Sequence, residues 1–366
     1  MIDSGVEFDN LHFHVEEVDA YNKPFNFVWS EREPGKTTSI VVQKIYNWYK
    51  KYGYPSIALR HIAADITDLY AQSFEETINK FKGREVHLVV RKEQSGIMML
   101  YDVPAGSKSW KDGKLFLVIL PLGAPMNRLK SVNVGPVGCI MYDEAIINKQ
   151  MGEKYPSCLP MRFNEIYRTF ARECRPRTLK VYCLANPYSK YHPLLVDWGV
   201  PINEIKRGHI LTGPNWLVYP YQMKPELREY IMKNDPTATL SNDYTRYAFD
   251  GEAVNDTEIP IRETKPEGYR LYYVFKVGGR FLYLWKNAND WYAGPMAAWW
   301  AETRSEGPGK RQAVISADFQ ELVRGSVLID AYKGVFDALG LCVATQRIEY
   351  QTPEAYFLIQ EIYSCF

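Results

Sequence analysis

An apolar run (Phe25–Trp29), a polar turn closing on Gly35-Lys36-Thr37, and a stretch with Ile40, Val41, Ile45 and Trp48 on one helical face follow one another without a spacer. Strand, glycine turn and helix in that order commit the chain to a layered α/β arrangement. The turn Ser30-Glu31-Arg32-Glu33-Pro34-Gly35-Lys36-Thr37 fits the phosphate-loop pattern G-x-x-x-x-G-K-[ST], with Ser30 in place of the first glycine. Such a loop turns main-chain N–H groups and a helix N-terminus toward phosphate oxygens, adds a lysine to neutralise them (Lys36), and adds a hydroxyl for magnesium (Thr37). The candidate nucleotide-binding residues are Ser30, Glu31, Arg32, Glu33, Pro34, Gly35, Lys36, Thr37 and Thr38. Pro34 removes one donor, and Glu31 and Glu33 bring negative charge that Arg32 can offset. The competing reading is a polar turn opening an ordinary surface helix.

About a hundred residues on, Gly138–Glu144 is an apolar run ending in two carboxylates. A site for ATP and Mg²⁺ needs one acid for the metal's shell, Asp143 beside Thr37, and a second to orient or deprotonate the attacking water, Glu144. Acids at strand ends also serve as plain turn formers. The next apolar strand, Leu179–Leu184, is followed by Ala185 and Asn186. In a parallel sheet that amide sits near Glu144 and senses the phosphate; otherwise Asn186-Pro187 merely opens a turn. Arg168, Arg172, Arg175 and Arg177 cluster before this strand. A ring ATPase needs a cation from a neighbouring subunit, and Arg172, then Arg175, are the candidates. A solvated helix face is the more frequent explanation for any single one of them.

Forty-four basic side chains nearly cancel forty-three acidic ones, so nucleic-acid contact has to come from local patches rather than from net charge. No run is long enough for a membrane span, and no secretory signal pattern opens the chain. The six cysteines form no CxxC pair and suit buried free thiols; the histidines show no ligand spacing. Further strands are expected at Ser56–Leu59, His87–Arg91, Ile97–Tyr101 and Leu115–Leu120, the last two joined by a hairpin turn at Asp112-Gly113. Helices are expected at Ala71–Phe81, around Leu159, Met161, Phe163, Ile166 and Phe170, and at Pro225–Lys233. The expected domains are 1–220, a polar linker or lid at 221–265, and a smaller domain at 266–366. The last opens with the strand pair Tyr269–Lys276 and Arg280–Trp285 around Gly278-Gly279.

The succession FNFVWSEREPGKTT, DGKLFLVILPL, VGCIMYDEAI and LKVYCLANPY resembles the packaging ATPases of phi-29-like podophages. The arginine inside the loop, Arg32, is shared with that group and with large terminases. The likeness is strongest from Phe25 to Pro193 and weaker across Tyr269–Tyr283. It implies an α/β fold: a P-loop ASCE ATPase with a mostly parallel sheet flanked by helices, followed by a vestigial α+β RNase H-like nuclease domain. It further implies a homo-oligomeric ring, a pentamer, at the portal vertex of an empty capsid (prohead) in the host cell cytoplasm. There it drives double-stranded DNA inward with ATP and Mg²⁺, and a structural packaging RNA is a further partner. By motif, Lys36 and Thr37 take the phosphate and metal roles, Asp143 the metal role, Glu144 the catalytic role and Asn186 the sensor role. The arginine finger falls within Arg168–Arg177. The strand Tyr272–Lys276 lacks the acid that two-metal cleavage needs, so no nuclease activity is expected. Its neighbours Arg270, Lys276, Arg280, Trp285 and Lys286 suit nucleic-acid contact, or simply a solvated sheet face. The rival functions are a helicase-like or AAA-type ring ATPase and a non-enzymatic DNA-binding virion protein.

Overall fold

The computed structural model describes residues 7–148, 151, 153–239, 245–246, 248, 259–277, 280–290, 297–309, 313–316, 326–328, 342–343 and 347–364. The chain divides into two compact units, Met1–Asn255 and Asp256–Phe366. The division falls inside the stretch expected to connect the domains.

The first unit is built on a nine-stranded sheet. Its strands are β1 (Phe25–Trp29), β2 (Ser56–Arg60), β3 (Leu88–Lys92), β4 (Met98–Asp102), β5 (Lys114–Pro121), β6 (Ile140–Tyr142), β7 (Val181–Ala185), β8 (Leu211–Thr212) and β9 (Trp216–Pro220), in the order β3-β4-β5-β2-β6-β7-β1-β9-β8. The strands β5, β2, β6, β7, β1 and β9 run parallel, while β4, β3 and β8 form antiparallel edges. An extra strand, β7, therefore separates the phosphate-loop strand β1 from β6. That order is the ASCE arrangement.

Side chains alternate across the sheet as strand pleating requires. Phe27 and Trp29 enter one core layer with Leu59, Tyr142, Phe163 and Ile166, and Val28 enters the other with Ile40, Val41, Ile45, Ala58, Phe74 and Met141. Phe27 is fully buried in its layer, so truncating it to alanine costs about 3–5 kcal/mol.

After β1 the chain enters α2 (Lys36–Ser39), widens into a π-helical stretch (Ile40–Tyr46) and returns to α3 (Asn47–Tyr52); α1 is a short helix before it (Val15–Asp19). The next helix, α4 (Asp68–Asn79), starts earlier than the apolar spacing alone suggests, because the Thr67 side chain accepts from the Tyr70 N–H and caps it. Two further helices are α5 (Met126–Lys130) and α6 (Leu159–Glu173). In α6 Leu159, Phe163, Ile166 and Phe170 are buried, but Met161 turns to solvent. Two more are α7 (Pro193–Asp197) and α8 (Pro225–Asn234).

The hairpin turn expected at Asp112-Gly113 does not form. A longer connection joins β4 to β5, with a 3₁₀ turn at Trp110–Asp112, and Gly113 is extended. Its glycine serves close approach instead: a Cβ there would lie 2.4 Å from the Asp102 carbonyl oxygen.

The second unit holds a six-stranded sheet of β10 (Tyr269–Val277), β11 (Arg280–Asn287), β12 (Trp299–Arg304), β13 (Val314–Ser316), β14 (Ser326–Leu328) and β15 (Ile348–Tyr350), ordered β14-β13-β10-β11-β12-β15. The β10–β11–β12 meander is antiparallel and β13 and β14 pair in parallel on its first strand. This is the RNase H-like strand order, with β15 added beside β12 and a C-terminal helix, α9 (Pro353–Ser364). Gly278-Gly279 lies outside the described residues.

Candidate functional site

Parallel strands bring their C-terminal ends to one edge of the sheet, where the loops after β1, β2, β6 and β7 meet. The loop after β1 turns on two left-handed residues, Glu33 (φ 69°) and Gly35 (φ 82°). Ser30 is not among the left-handed positions, so the fold does not demand a glycine there and the departure at position 30 is sterically free. The Ser30 N–H bonds the Ala185 carbonyl instead, stitching the loop's start to β7.

Lys36 is buried in the loop. Its Nζ donates to the Ser30 carbonyl (3.0 Å), Ser30 Oγ (2.8 Å), the Glu31 carbonyl (2.7 Å) and Asn186 Oδ1 (3.3 Å). Burial pulls its pKa down to about 7, against the pull of Glu31 and Asp143. Thr37 Oγ1 donates to Asp143 Oδ1 at 3.1 Å, and Thr38 sits half-buried in the same helical turn. Lys36, Thr37, Asp143 and Asn186 are therefore brought together, and Glu144 follows Asp143 directly.

The two loop acids lie in different surroundings. Glu31 is buried, and its carboxylate is held from outside the loop: Oε1 pairs with Arg207 Nη2 at 2.5 Å and Oε2 accepts from the Met223 N–H at 3.3 Å. That pair offsets its charge, although Glu31 still draws the Lys36 pKa upward. Glu33 is exposed, where solvent screens it. Arg32 Nη2 donates to the Tyr188 hydroxyl at 2.8 Å, linking the phosphate loop to the segment after Asn186. Pro34, buried, accepts the Phe13 N–H on its carbonyl at 2.7 Å.

A residue that motif reading passed over occupies the centre. Arg60, at the end of β2, places Nη1 3.3 Å from Asp143 Oδ2 and Nη2 2.6 Å from Glu144 Oε2, with its plane 4.8 Å from the Tyr70 ring centroid. The Tyr70 hydroxyl also donates to Asp143 Oδ2 at 3.3 Å. Burial opposes the Arg60 charge, but Asp143 and Glu144 hold its pKa above the ordinary value. Burial likewise raises Asp143, and Arg60 and the hydrogen bonds from Thr37 and Tyr70 work against that rise. The sequence signal was faint: a lone arginine closing an apolar strand, legible only once β2 is known to pair with β6.

Glu144 itself takes a left-handed backbone (φ 50°), and its side chain is 56% exposed. Arg172 and Arg175 are exposed and are not brought to this site. Arg172 lies in the last turn of α6 and Arg175 in the connection that leads from it to the start of β7, at the opposite edge of the sheet from the phosphate loop. Arg168 is exposed on α6, whereas Arg177 is occupied, donating to the Gly138 carbonyl (3.0 Å) and to that of Val137, and lying 4.5 Å over the Trp48 ring.

Among the described residues no group of three or more His, Cys, Asp or Glu is gathered to hold a metal by itself, and no helix is long and apolar enough to cross a membrane. Cys139, Cys174, Cys183 and Cys342 are buried free thiols and Cys158 is partly exposed; Cys365 lies outside the described residues.

A scan against protein-family models and a search of curated proteins return no match. Solved structures do match. The Phi-28 gp11 DNA packaging motor superposes with a TM-score of 0.67 at 14% identity, covering 98% of both chains. A chain of the bacteriophage Phi-29 viral genome packaging motor assembly superposes at 0.55 and 18% identity, over 96% of this chain and 100% of that one. The fold of this chain is that of the phage DNA-packaging motor chains.

Proposed function

We propose that this chain is an ATPase that drives double-stranded viral DNA through the portal into an empty capsid, working as a homo-oligomeric, pentameric ring at the portal vertex in the host cytoplasm. One observation carries the ATPase reading: the hydrogen bond from Thr37 to Asp143, beside buried Lys36 and next to Glu144. No ordinary surface turn needs a helix-start hydroxyl, a buried ammonium and two carboxylates at one point.

The main-chain N–H groups of the loop and Lys36 hold the phosphates of the nucleotide. The Thr37 hydroxyl and the Asp143 carboxylate, hard oxygen donors 3.1 Å apart, suit Mg²⁺ that retains several waters. When bound, the ion neutralises phosphate charge. Glu144 orients the attacking water and accepts its proton, for which its carboxylate has to leave Arg60. Asn186, already on Lys36, reads whether phosphate is present. A neighbour's Arg172, or its Arg175, approaches the phosphate in the ring.

The expected division of labour puts hydrolysis in 1–220, a linker or lid in 221–265 and nucleic-acid contact without nuclease activity in 266–366. A basic and aromatic face supports the last part: Arg270 and Lys286 are paired across β10 and β11, and Lys286 Nζ lies 5.3 Å over exposed Tyr272. A structural packaging RNA is the further partner proposed for this unit.

The test compares ATP turnover and DNA packaging into purified empty capsids for wild type, Lys36→Ala and Glu144→Gln. Loss of nucleotide binding in the first variant, and binding without hydrolysis or packaging in the second, is expected. Equal background turnover in all three would leave a non-enzymatic virion protein. Turnover with duplex unwinding and no packaging would leave a helicase-like ring.

A further inference from the structure

The residue after Arg60 reaches the main chain of the same acid pair. His61 is 7% exposed, and its Nε2 lies 2.8 Å from the Glu144 carbonyl oxygen while its Nδ1 lies 2.8 Å from the Tyr142 hydroxyl. A carbonyl only accepts, so Nε2 carries the proton; Nδ1 of the neutral ring then accepts, and the Tyr142 O–H donates to it. Tyr142, itself fully buried, thus fixes the tautomer that lets His61 grip Glu144. Burial drives His61 down to about 4, so the ring is neutral at physiological pH and the tautomer is defined.

The grip falls on an unusual piece of backbone. Glu144 is a non-glycine residue at φ 50°. Such a conformation costs on the order of 1 kcal/mol or more and persists only where surrounding contacts impose it. Three main-chain contacts do so: the Asp143 N–H on the Leu59 carbonyl (3.1 Å), the Ala145 N–H on the Leu184 carbonyl (2.8 Å), and His61 on the Glu144 carbonyl. The first two tie the residues after β6 to the carbonyls of the neighbouring strands β2 and β7. The third comes from a side chain, and it acts on the residue whose carboxylate Arg60 holds at 2.6 Å.

We infer that His61 is a positioning residue for Glu144: with its tautomer set by Tyr142, it holds the left-handed main chain from which the Glu144 carboxylate is aimed. The inference rests on the ATPase reading above. It differs from the Arg60 contact, which engages the carboxylate itself. His61 leaves the carboxylate free to move about its own side-chain torsions and fixes only the origin of that movement.

The experiment measures kcat, KM and nucleotide affinity in the full chain for His61→Leu, His61→Gln and Tyr142→Phe, each also combined with Glu144→Gln. A misplaced catalytic group costs on the order of 10- to 100-fold in rate. His61→Leu is expected to lower kcat by about that factor, with nucleotide affinity changed less than about twofold. Glutamine, whose terminal N–H₂ falls near the position of Nε2, restores most of the rate. Tyr142→Phe, which keeps the imidazole, loses about threefold or more. In the Glu144→Gln background none of these substitutions lowers the residual rate further, because His61 acts through Glu144. Should His61→Leu fail to fold, Tyr142→Phe and His61→Gln carry the same comparison. Unchanged kcat in His61→Leu, or equal losses with and without the Glu144 carboxylate, overturns the inference and leaves His61 as core packing. If Glu144→Gln alone has no effect on turnover, the ATPase reading fails instead.

Discussion

The Thr37 hydroxyl donates to Asp143 Oδ1 at 3.1 Å, so the first turn after the phosphate loop and the tip of β6 share one hydrogen bond. The other carboxylate oxygen, Asp143 Oδ2, takes Arg60 and the Tyr70 hydroxyl, each at 3.3 Å. Asp143 is buried, and burial raises its pKa, a cost the fold accepts where a cation is to be bound. Thr37→Ala is expected to raise the Mg²⁺ concentration needed for half-maximal ATP hydrolysis by about 10- to 100-fold, and Asp143→Asn by at least as much. A Mg²⁺ titration at saturating nucleotide reads both. An unchanged midpoint in Asp143→Asn would remove that carboxylate from the metal role.

Lys36 gives a pH dependence with a definite sign. Its folded pKa is lowered to about 7 by burial, from an ordinary 10.5. Between those values the unfolded chain binds the extra proton, so stability of the nucleotide-free chain rises with pH across that window. Anionic phosphate favours the ammonium form and draws the proton back on binding. Calorimetric titration with an ATP analogue, in buffers of different ionisation enthalpy, is expected to show uptake of about half a proton near pH 7, approaching one near pH 8.5. Uptake that does not grow over this range means Lys36 is charged throughout.

How much of this was legible in the sequence follows from where each signal is stored. Lys36, Thr37, Asp143, Glu144 and Asn186 stand at the ends of apolar runs, and a parallel sheet gathers such ends at one edge whatever the intervening length. Strand order then follows from few choices, and β7 falls between β1 and β6 as that gathering requires. Arg60 and His61 stand at a strand end too, but no short motif marks them; their contacts with Asp143 and Glu144 appear only through the pairing of β2 with β6. The surroundings of Glu31 were illegible for a related reason. Glu31 is adjacent in sequence to the phosphate-binding residues, yet its partner, Arg207, comes from a distant loop. The connection at Asp112-Gly113 was misread because Asp-Gly suits both a tight turn and, as here, a glycine passing close to a neighbouring strand.

Arg60 neutralises a carboxylate that burial would otherwise protonate more easily. An opposite charge at this range lowers a carboxyl pKa by about one unit or more, and removing it reverses that. Arg60→Ala is therefore expected to move the acid limb of the kcat/KM profile upward by about one pH unit, so that hydrolysis falls more at pH 6 than at pH 8. Arg60→Lys keeps a charge but loses the fork spanning both acids, and is expected to fall between. The profile of each variant against wild type decides it; a uniform loss at all pH values would mean that Arg60 acts by geometry alone.

The four arginines near α6 divide by their surroundings. Arg177 holds the carbonyls of Val137 and Gly138 and covers Trp48, so Arg177→Ala is expected to destabilise the fold by about 1–3 kcal/mol. Arg172 and Arg175 are exposed at the sheet edge far from their own phosphate loop, and their loss should leave the melting temperature unchanged. If a neighbour's arginine completes each site, Arg172→Ala, or failing that Arg175→Ala, lowers hydrolysis in the assembled ring on the order of 10³-fold with nucleotide binding intact. Thermal melts, nucleotide affinity and turnover at ring-forming concentration separate these effects. Full turnover in both variants places the finger elsewhere.

The second unit has the strand order of a nuclease, but its first strand offers no acid. Two-metal cleavage requires clustered carboxylates, whereas β10 runs from Tyr269 to Val277 without one. Among the described residues of this sheet the buried carboxylate, Glu302 on β12, is already committed: Trp285 Nε1 donates to it at 3.0 Å and Arg304 pairs with it at 2.5 Å. Glu302→Gln is therefore expected to weaken packing around Trp285 by about 1–3 kcal/mol rather than to abolish a reaction. Plasmid DNA incubated with the chain and either Mg²⁺ or Mn²⁺ should stay intact while ATP is consumed. Cutting that persists in Lys36→Ala and disappears in Glu302→Gln would make this sheet a working nuclease.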